Sequence, residues 1–373
     1  MTATPAVRRI GILTSGGDAP GMNAAIRAAT LLALNRGVEV MGIQQGYRGL
    51  IAGELAPLTP DHVADIIRQG GTILGSARSK EFMTKAGRDR ARENLVRAGV
   101  DGLIVIGGNG SLAGARALVD PAEAGAGFEC KVVGIPASID NDIALTGLAI
   151  GVDTAMNTIV DACDKISDTA SAHDRTFIVE VMGRDSGYLA MTSGIASAAN
   201  AVLFRESAKD EAQIVERVVK SILAARARKQ RSKRVLVIKA EGVSIPTERL
   251  KALVDERLRQ EVTAPDPIET RVTVLGHLVR GGRPSAFDRV LASRLAHVAV
   301  RTLLAGETRK MAAWGPWAEA KQNAGTRAEA DPHCWIVDLD AVLSETQRLL
   351  DGTSPVTQWR ARIFDEISDV LAM

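Results

Sequence analysis

Short β-branched segments alternate with longer helical segments along most of the chain, and this alternation constrains the fold more than any other feature. Ile10–Thr14 and Val38–Ile43 are typical of buried strands. Between them, Gly21–Arg36 carries apolar residues on one helical face, and Gly37 is placed to end that helix. A strand, a helix and a second strand in this order form a βαβ unit, which joins parallel strands. The sequence therefore predicts an α/β fold with mainly parallel sheets covered on both faces.

Six later segments have the same strand character. They are Gly102–Ile106, Lys131–Ile135, Thr176–Val181, Ala201–Phe204, Val235–Ile238 and Arg271–Leu275. The chain has 373 residues, whereas a single domain usually holds about 100 to 200 residues. The strands before about residue 150 are sufficient for one doubly wound domain, and those after it are sufficient for a second. We therefore predict two α/β domains.

Composition and charge argue against several classes of protein. The 46 Lys and Arg residues against 44 Asp and Glu residues leave a formal charge of +2, which is too small for a protein that binds nucleic acid mainly through phosphate contacts. The three cysteines are scattered without CxxC spacing, so neither a disulfide framework nor a zinc site is indicated. No signal-like segment and no apolar run of about 18 residues occurs, so we expect a cytoplasmic protein without a membrane anchor.

Two glycine-rich loops follow predicted strands and lead into predicted helices. The first spans Thr14–Asn23, and the second spans Gly107–Ser111. Glycines let backbone N–H groups approach a phosphate, and a helix N-terminus adds positive potential. Neither loop is a Walker A or GxGxxG motif, and glycines that only form turns are the alternative interpretation. Two such loops at neighbouring strand ends favour a nucleoside triphosphate.

A third loop, Pro136–Asp142, places two carboxylates two residues apart after a buried strand. Phosphoryl transfer needs one carboxylate to accept a hydroxyl proton and another to hold Mg²⁺, so Asp140 and Asp142 are candidates for these roles. The alternative is an Asx-turn with solvated acids, which is common for Asp and Asn in loops.

Several cationic and hydrogen-bonding residues lie near the ends of later strands and could bind a substrate phosphate through paired hydrogen bonds. They are Arg184, His277 and Arg280, which follow predicted strands, and Arg175 and Arg271, which lie at strand starts. Taken singly, each arginine is more often a surface residue, and a lone histidine is more often packed in a turn than catalytic.

In combination, the chain resembles the bacterial ATP-dependent phosphofructokinase family in six segments that occur in the family's order. They are TSGGDAPGMNAAIR, GGNGS, PASIDND, HDRTFIVEVMGR, ETRVTVLGH and RGGRPSAFDR. The resemblance runs from Arg9 to about Gly306. It implies two Rossmann-like doubly wound domains with mainly parallel sheets and the active site in the cleft between them.

The resemblance also implies how the chain divides. We expect an ATP-binding domain at residues 1–151 plus about 279–313, and a sugar-phosphate-binding domain at residues 152–278 plus about 333–373. Residues 314–332 are expected to form a surface insertion. Homotetramers are usual in the family, so we expect a homotetramer or dimer.

Carried over position by position, the resemblance implies a role for each site residue. ATP as co-substrate would be surrounded by Gly16, Arg78, Ser79, Gly108, Asn109, Gly110 and Ser111. Asp140 would be the general base, while Ser138 and Arg184 would orient or neutralise the moving phosphoryl group. Fructose 6-phosphate would contact these three catalytic residues and Met182, Gly183, Glu241, His277 and Arg280. Arg175 and Arg271 would complete the site of a neighbouring subunit.

The implied activity is an ATP:D-fructose 6-phosphate 1-phosphotransferase that forms fructose 1,6-bisphosphate in glycolysis. Pyrophosphate-dependent relatives carry an acidic side chain and a lysine where this chain has Gly110 and Ala137, so ATP is favoured as the donor. Three alternatives stay open: another ketose phosphate such as sedoheptulose 7-phosphate, pyrophosphate as donor, and a weakly active regulatory subunit that binds sugar phosphate.

One position departs from the family pattern. Asn109 stands where the family has an aspartate that contributes to the Mg²⁺ site. An amide oxygen lacks the full negative charge that Mg²⁺ prefers. We therefore expect Asp142 to hold the ion, with a weakened contribution from Asn109.

Overall fold

Strands and helices alternate along the computed structural model as the sequence predicts. The structure describes residues 7–125, 127–227, 234–262, 268–315, 325–329 and 331–371. The chain divides into two units. Unit 1 comprises Met1–Thr154 and Arg280–Gln347, and unit 2 comprises Ala155–Val279 and Arg348–Met373. The predicted α/β class with parallel sheets is confirmed.

The strands of the described residues are numbered in chain order. They are β1 (Arg9–Ser15), β2 (Glu39–Ile43), β3 (Leu55–Pro57), β4 (Gly102–Gly107), β5 (Lys131–Pro136), β6 (Thr176–Val181), β7 (Ala201–Leu203), β8 (Val235–Ala240), β9 (Thr270–Val274), β10 (Lys310–Trp314), β11 (Thr326–Arg327) and β12 (Cys334–Asp338).

The α-helices of the same residues are numbered likewise. They are α1 (Met22–Leu34), α2 (Gly46–Ala52), α3 (Lys85–Arg97), α4 (Asn109–Leu118), α5 (Pro121–Ala124), α6 (Val152–His173), α7 (Tyr188–Ala196), α8 (Glu211–Ala227), α9 (Thr247–Glu261), α10 (Ala286–Leu304), α11 (Leu339–Leu350) and α12 (Pro355–Leu371). Short 3-10 turns occur at Asp61–Val63, Ile66–Arg68, Glu81–Met83, Arg205–Ser207 and Gly276–Arg280. No helix within the described ranges is both long and apolar enough to cross a bilayer.

The sheet of unit 1 has the strand order β11-β12-β10-β5-β4-β1-β2-β3 within the described part of the chain. Strands β2, β1, β4, β5 and β10 run parallel to one another, while β3, β11 and β12 join antiparallel at the two edges. The central strands are almost entirely buried, which is typical of parallel strands covered on both faces.

Helix α1 shows how local sequence produces these elements. Gly21 precedes it with φ 114°, a left-handed conformation that favours glycine. The helix buries Met22, Ala25, Ile26 and Ala29, as the apolar period predicts. It ends at Leu34, two residues before the predicted end at Arg36. Element ends are the least certain part of a sequence-based prediction because caps and last turns vary.

The sheet of unit 2 has the order β7-β8-β6-β9, and all of its described pairings are parallel. Strands β6 and β8 pair in register from Thr176 opposite Val235 to Val181 opposite Ala240. Their carboxyl ends therefore lie side by side.

The expected boundaries need two corrections. Strand β12 pairs with β10 in the sheet of unit 1, so residues 333–347 belong to unit 1 rather than to the second domain. The expected surface insertion at 314–332 also contributes to that sheet, because Trp314 is the last residue of β10 and Thr326–Arg327 forms β11. Residues 316–324 and 330 of this segment lie outside the described residues. The physical reason is pairing between segments that are distant in sequence, which local periodicity does not report.

Candidate active site

The three loops singled out in the sequence lie beside one another in unit 1. Strands β1, β4 and β5 are adjacent and parallel, with Ser15 opposite Gly107 and Gly107 opposite Pro136. Each loop contains one of these residues at or next to its first position. Ligands of open α/β sheets bind beyond the carboxyl ends of strands, so this edge of the sheet is the candidate site.

The first two loops approach each other too closely for side chains at certain positions. Gly16 has φ 88°, and a Cβ atom there would lie 3.2 Å from Ser111 Oγ. A Cβ atom on Gly107 would lie 2.5 Å from the carbonyl oxygen of Ser15. Glycine is therefore required by backbone packing at Gly107, and by backbone conformation at Gly16.

The second loop forms the N-terminus of α4. The amides of Ser111 and Leu112 both donate to the carbonyl of Gly108 at 3.0 Å, which starts the helix. A Cβ atom on Gly110 would meet no atom within 4 Å, so the space beside this helix turn is open. An open helix N-terminus with glycines is suited to an anionic phosphate.

Two aromatic residues that the sequence analysis missed support this loop. The hydroxyl of Tyr47 donates to the carbonyl oxygen of Ser111 at 2.6 Å, and its ring stacks on Phe82 with centroids 3.9 Å apart. Burial raises the pKa of the Tyr47 phenol, so it stays a hydrogen-bond donor. Ser79 accepts a hydrogen bond from the amide of Phe82 at 3.2 Å. Tyr47 is one of only two tyrosines in the chain, and this scarcity is the sequence feature that could have drawn attention to it.

The third loop is held by a network around Asp142. Ser138 Oγ donates to Asp142 Oδ1 at 3.0 Å, and the amide of Asp140 donates to Ser138 Oγ at 3.3 Å. Between the two acids, Asn141 has φ 46° and is buried. Its side chain accepts from the amide of Ala149 at 3.0 Å and donates to the carbonyl of Gly147 at 3.1 Å. Asn141 therefore holds the backbone between the two acids, a role that was not predicted from the sequence.

Asn109 joins the second loop to the third. Its Nδ2 donates to Asp142 Oδ2 at 2.7 Å and to the Asp142 carbonyl at 3.2 Å. Its Oδ1 is buried and accepts no hydrogen bond from the described residues. An uncommitted amide oxygen beside a carboxylate is an oxygen donor set that fits Mg²⁺. No group of three or more His, Cys, Asp or Glu side chains in the described ranges could hold a metal, so water and phosphate oxygens would supply the remaining ligands.

Arg280 reaches the first loop, although the resemblance places it with the sugar phosphate. Its Nη1 donates to the carbonyl of Asp18 at 3.2 Å. A Cβ atom on Gly17 would lie 2.8 Å from the same nitrogen. Within unit 1, Arg280 therefore packs directly on the glycine loop that follows β1.

A second group of predicted residues gathers at the carboxyl end of the sheet in unit 2. Met182, Gly183 and Arg184 follow β6, and Glu241 follows β8 with its amide donating to the Val181 carbonyl at 2.9 Å. His277 lies in the 3-10 turn after β9. The turn that holds Arg184 is tightly packed, because a Cβ atom on Gly242 would lie 2.0 Å from the Arg184 carbonyl oxygen.

Arg175 and Arg271 lie elsewhere in unit 2. Arg175 directly precedes β6, and Arg271 pairs in register with Phe177 near the beginning of that strand. Both guanidinium groups lie near Glu269, at 3.5 Å and 2.5 Å. These two arginines therefore lie toward the amino ends of the strands and not beside Met182–Arg184 of the same chain.

Glycine loops at a helix N-terminus, next to carboxylates at parallel strand ends, are typical of α/β proteins that bind phosphate groups. Comparison with known proteins is more specific. The chain belongs to the phosphofructokinase family, whose family model, described as "Phosphofructokinase", matches residues 9–303. The family membership indicated by the sequence motifs is confirmed.

Individual relatives cover most of the chain. It is 48% identical over 301 residues to an ATP-dependent 6-phosphofructokinase of Bacillus pumilus, covering 81% of this chain and 88% of that protein. The Bacillus subtilis ATP-dependent 6-phosphofructokinase is 47% identical over the same shares. The crystal structure of Pichia pastoris phosphofructokinase in the T-state matches with a TM-score of 0.82 and 31% identity, over 98% of this chain and 40% of that chain. This chain thus spans less than half of the Pichia chain.

Proposed function

We propose that this protein is an ATP-dependent 6-phosphofructokinase, which transfers the γ-phosphoryl group of ATP to the 1-hydroxyl of fructose 6-phosphate and forms fructose 1,6-bisphosphate in glycolysis. The observation that carries the proposal is the open helix N-terminus at Gly110 beside the loop with Asp140 and Asp142, in a chain 48% identical to an ATP-dependent relative. A cytoplasmic homotetramer or dimer is part of the proposal.

The donor side of the reaction uses the loops of unit 1. ATP is bound by Gly16, Arg78, Ser79, Gly108, Asn109, Gly110 and Ser111. The backbone amides at the start of α4 face the phosphates, and the absence of a side chain at Gly110 leaves room for the nucleotide. The acidic side chain that pyrophosphate-dependent relatives carry at this position would fill the space of the nucleotide. Gly110 leaves that space open, so ATP is favoured over pyrophosphate as the donor.

The acceptor side uses a separate group of residues. Fructose 6-phosphate is contacted by Met182, Gly183, Arg184, Glu241, His277 and Arg280, while Arg175 and Arg271 complete the site of a neighbouring subunit. The arginines of this group suit a phosphate, because arginine forms paired hydrogen bonds with phosphate oxygens. Its glutamate and histidine suit sugar hydroxyls. Its presence argues against an unrelated acceptor, and the retained Asp140 argues against a purely regulatory subunit.

Asp140 is the general base of the proposed reaction. Its carboxylate accepts the proton of the 1-hydroxyl as the oxygen attacks the γ-phosphorus. Ser138 orients the loop through its hydrogen bonds to Asp142 and to the Asp140 amide, and Arg184 neutralises the charge on the moving phosphoryl group. Mg²⁺, held by Asp142 with a weaker contribution from Asn109, supplies further charge neutralisation when it is bound.

A panel of donors and acceptors tests the proposal. ATP and pyrophosphate are each combined with fructose 6-phosphate and with sedoheptulose 7-phosphate in a coupled assay. We expect conversion with ATP and fructose 6-phosphate to exceed every other combination. Preferred use of pyrophosphate or of the seven-carbon sugar contradicts the proposal, and binding of fructose 6-phosphate without any turnover identifies the regulatory subunit instead.

Replacing Asn109 by Asp is expected to reduce the Mg²⁺ concentration needed for half-maximal activity by about tenfold, a size typical of changes next to a bound metal. The reason is that a second carboxylate replaces the amide that now donates to Asp142. A Mg²⁺ titration at saturating ATP and fructose 6-phosphate, with calorimetry of Mg²⁺ binding to the nucleotide complex, measures the change. Equal midpoints in both proteins reject the role of Asn109.

Replacing Gly17 by Ala is expected to raise the KM for fructose 6-phosphate about three- to tenfold, because a displaced charged hydrogen bond loses part of its usual 1.5–3 kcal/mol. The three atoms nearest to the new Cβ atom would all belong to the Arg280 guanidinium, a flexible side-chain end that can move away. Gly127→Ala is the control, because a Cβ atom there meets nothing within 4 Å. An unchanged KM in Gly17→Ala would show that Arg280 does not bind the sugar phosphate.

A further inference from the structure

A lysine is buried in the centre of the sheet of unit 2. Lys239 lies in β8, between β7 and β6, and only 1% of its surface is exposed. Its Nζ lies 3.2 Å from Glu180 Oε2 on β6 and 3.4 Å from the carbonyl oxygen of Ala240. Buried strands of parallel sheets are usually apolar throughout, so an ammonium group at this position requires an explanation.

The ion pair connects three elements of unit 2. Glu180 and Lys239 are direct partners in the register of β6 and β8. The same carboxylate oxygen of Glu180 accepts a hydrogen bond from the hydroxyl of Thr247, the first residue of α9. One carboxylate therefore fixes β6, β8 and the beginning of α9 at a single point.

That point lies directly before the residues proposed to bind the sugar phosphate. Met182 follows Glu180 by two positions, and Glu241 follows Lys239 by two positions. The carbonyl of Glu180 also accepts from the amide of Leu275 at 3.0 Å, just before the turn with His277. Met182, Glu241 and His277 thus lie two positions after Glu180, Lys239 and Leu275. Three segments proposed to bind the acceptor therefore begin next to the ion pair.

Stability alone does not account for the pair. The pair costs Lys239 nearly all of its hydration and Glu180, whose side chain is 21% exposed, part of its hydration. Apolar residues of similar volume often stabilise a fold as well as or better than such a pair. The directional contacts of such a pair do fix the relative position of the strands that carry it. The pair lies near the ends of two strands, directly before residues that are proposed to bind the substrate. This position indicates that the pair holds those strand ends in place.

We propose that Lys239 is a positioning residue for the acceptor side of the reaction. Its ion pair with Glu180 sets where Met182–Arg184 and Glu241 leave the sheet, without touching the substrate itself. The inference rests on the proposed function. It predicts an effect on fructose 6-phosphate alone, because the residues proposed to bind ATP belong to unit 1.

The test compares Lys239→Met with the double variant Lys239→Met/Glu180→Gln. We expect both to raise the KM and the calorimetric Kd for fructose 6-phosphate by about tenfold, because displaced binding residues lose part of their contact with the substrate. The KM for ATP should stay within about twofold of wild type. The thermal unfolding temperature is expected to fall in the single variant and to recover in the double variant, because the double variant leaves no unpaired charge. Lys220→Met is the control, because Lys220 pairs with Glu216 on the surface with 74% of its side chain exposed.

The double variant separates positioning from simple stabilisation. Recovery of fructose 6-phosphate affinity together with thermal stability would overturn the proposal, as would equal rises in both KM values or no change in either. If Lys239→Met does not fold, Thr247→Val removes one anchor of Glu180 without changing charge. Its expected effect is a rise of about threefold in the same Kd, consistent with loss of one hydrogen bond, and an unchanged Kd contradicts the proposal. Wild-type protein that neither binds nor converts fructose 6-phosphate contradicts the proposed function instead.

Discussion

Replacing Asp140 by Asn is expected to lower kcat by about 10²- to 10⁴-fold, the usual contribution of a general base. The amide has nearly the same shape as the carboxylate but does not accept a proton at neutral pH. The backbone amide of Asp140, which donates to Ser138 Oγ, is unaffected by the change. The loop should therefore keep its conformation while the chemical step becomes slow.

Single-turnover measurements with ATP and fructose 6-phosphate separate this step from binding. We expect the KM for ATP to stay within about twofold of wild type, because the removed group acts mainly in the transition state. Asp161→Asn, an exposed acid on α6 that pairs with Lys165, is the matched control and should leave the rate unchanged. A loss of less than about tenfold in the Asp140 variant would mean that another group is the base.

Replacing Asp288 by Ala is expected to lower the free energy of unfolding by about 3–4 kcal/mol, because each buried N–H that loses its acceptor costs about 1–3 kcal/mol. Asp288 is fully buried in the first turn of α10. Its carboxylate accepts from the amides of Gly151 and Thr154 at 2.8 Å each, and from the Thr154 hydroxyl at 2.5 Å. These groups lie at the start of α6, so the Asp288 carboxylate connects the first turn of α10 to the start of α6.

Urea unfolding of Asp288→Ala and Asp288→Asn measures the effect. Burial raises the pKa of the Asp288 carboxyl, because a charged group loses hydration when it is buried. Asn avoids that cost and keeps one acceptor oxygen, so its loss is expected to be about half that of Ala. Asp338→Ala, in an exposed pair with Lys310, is the control and should cost no more than about 1 kcal/mol. Equal stability of Asp288→Ala and this control would mean that the Asp288 carboxylate does not stabilise the start of α6.

Much of the fold was predictable from the sequence alone. The starts and ends of β1, β2, β4, β5, β6 and α1 lie within about two residues of the predicted segments, because buried parallel strands appear as continuous apolar runs and helices as a 3.6-residue period. Six short motifs in a fixed order indicated the family, which the comparisons confirm. The positions of the glycine loops after β1 and β4 also followed from the sequence, because a loop's place at a strand end is a local property.

The tertiary structure decided what local patterns do not contain. Strands β10, β11 and β12 extend the sheet of unit 1 through pairings that the sequence analysis missed. Asn109 donates to Asp142 across 33 residues, Lys239 pairs with Glu180 across 59, and Arg280 reaches Asp18 across 262. Periodicity and propensity describe neighbours along the chain, whereas these contacts depend on which strand ends the fold brings side by side. The sequence by itself therefore determined most strands before residue 280, the loops and the family. Only the folded chain determined the later strands of unit 1 and which side chains meet.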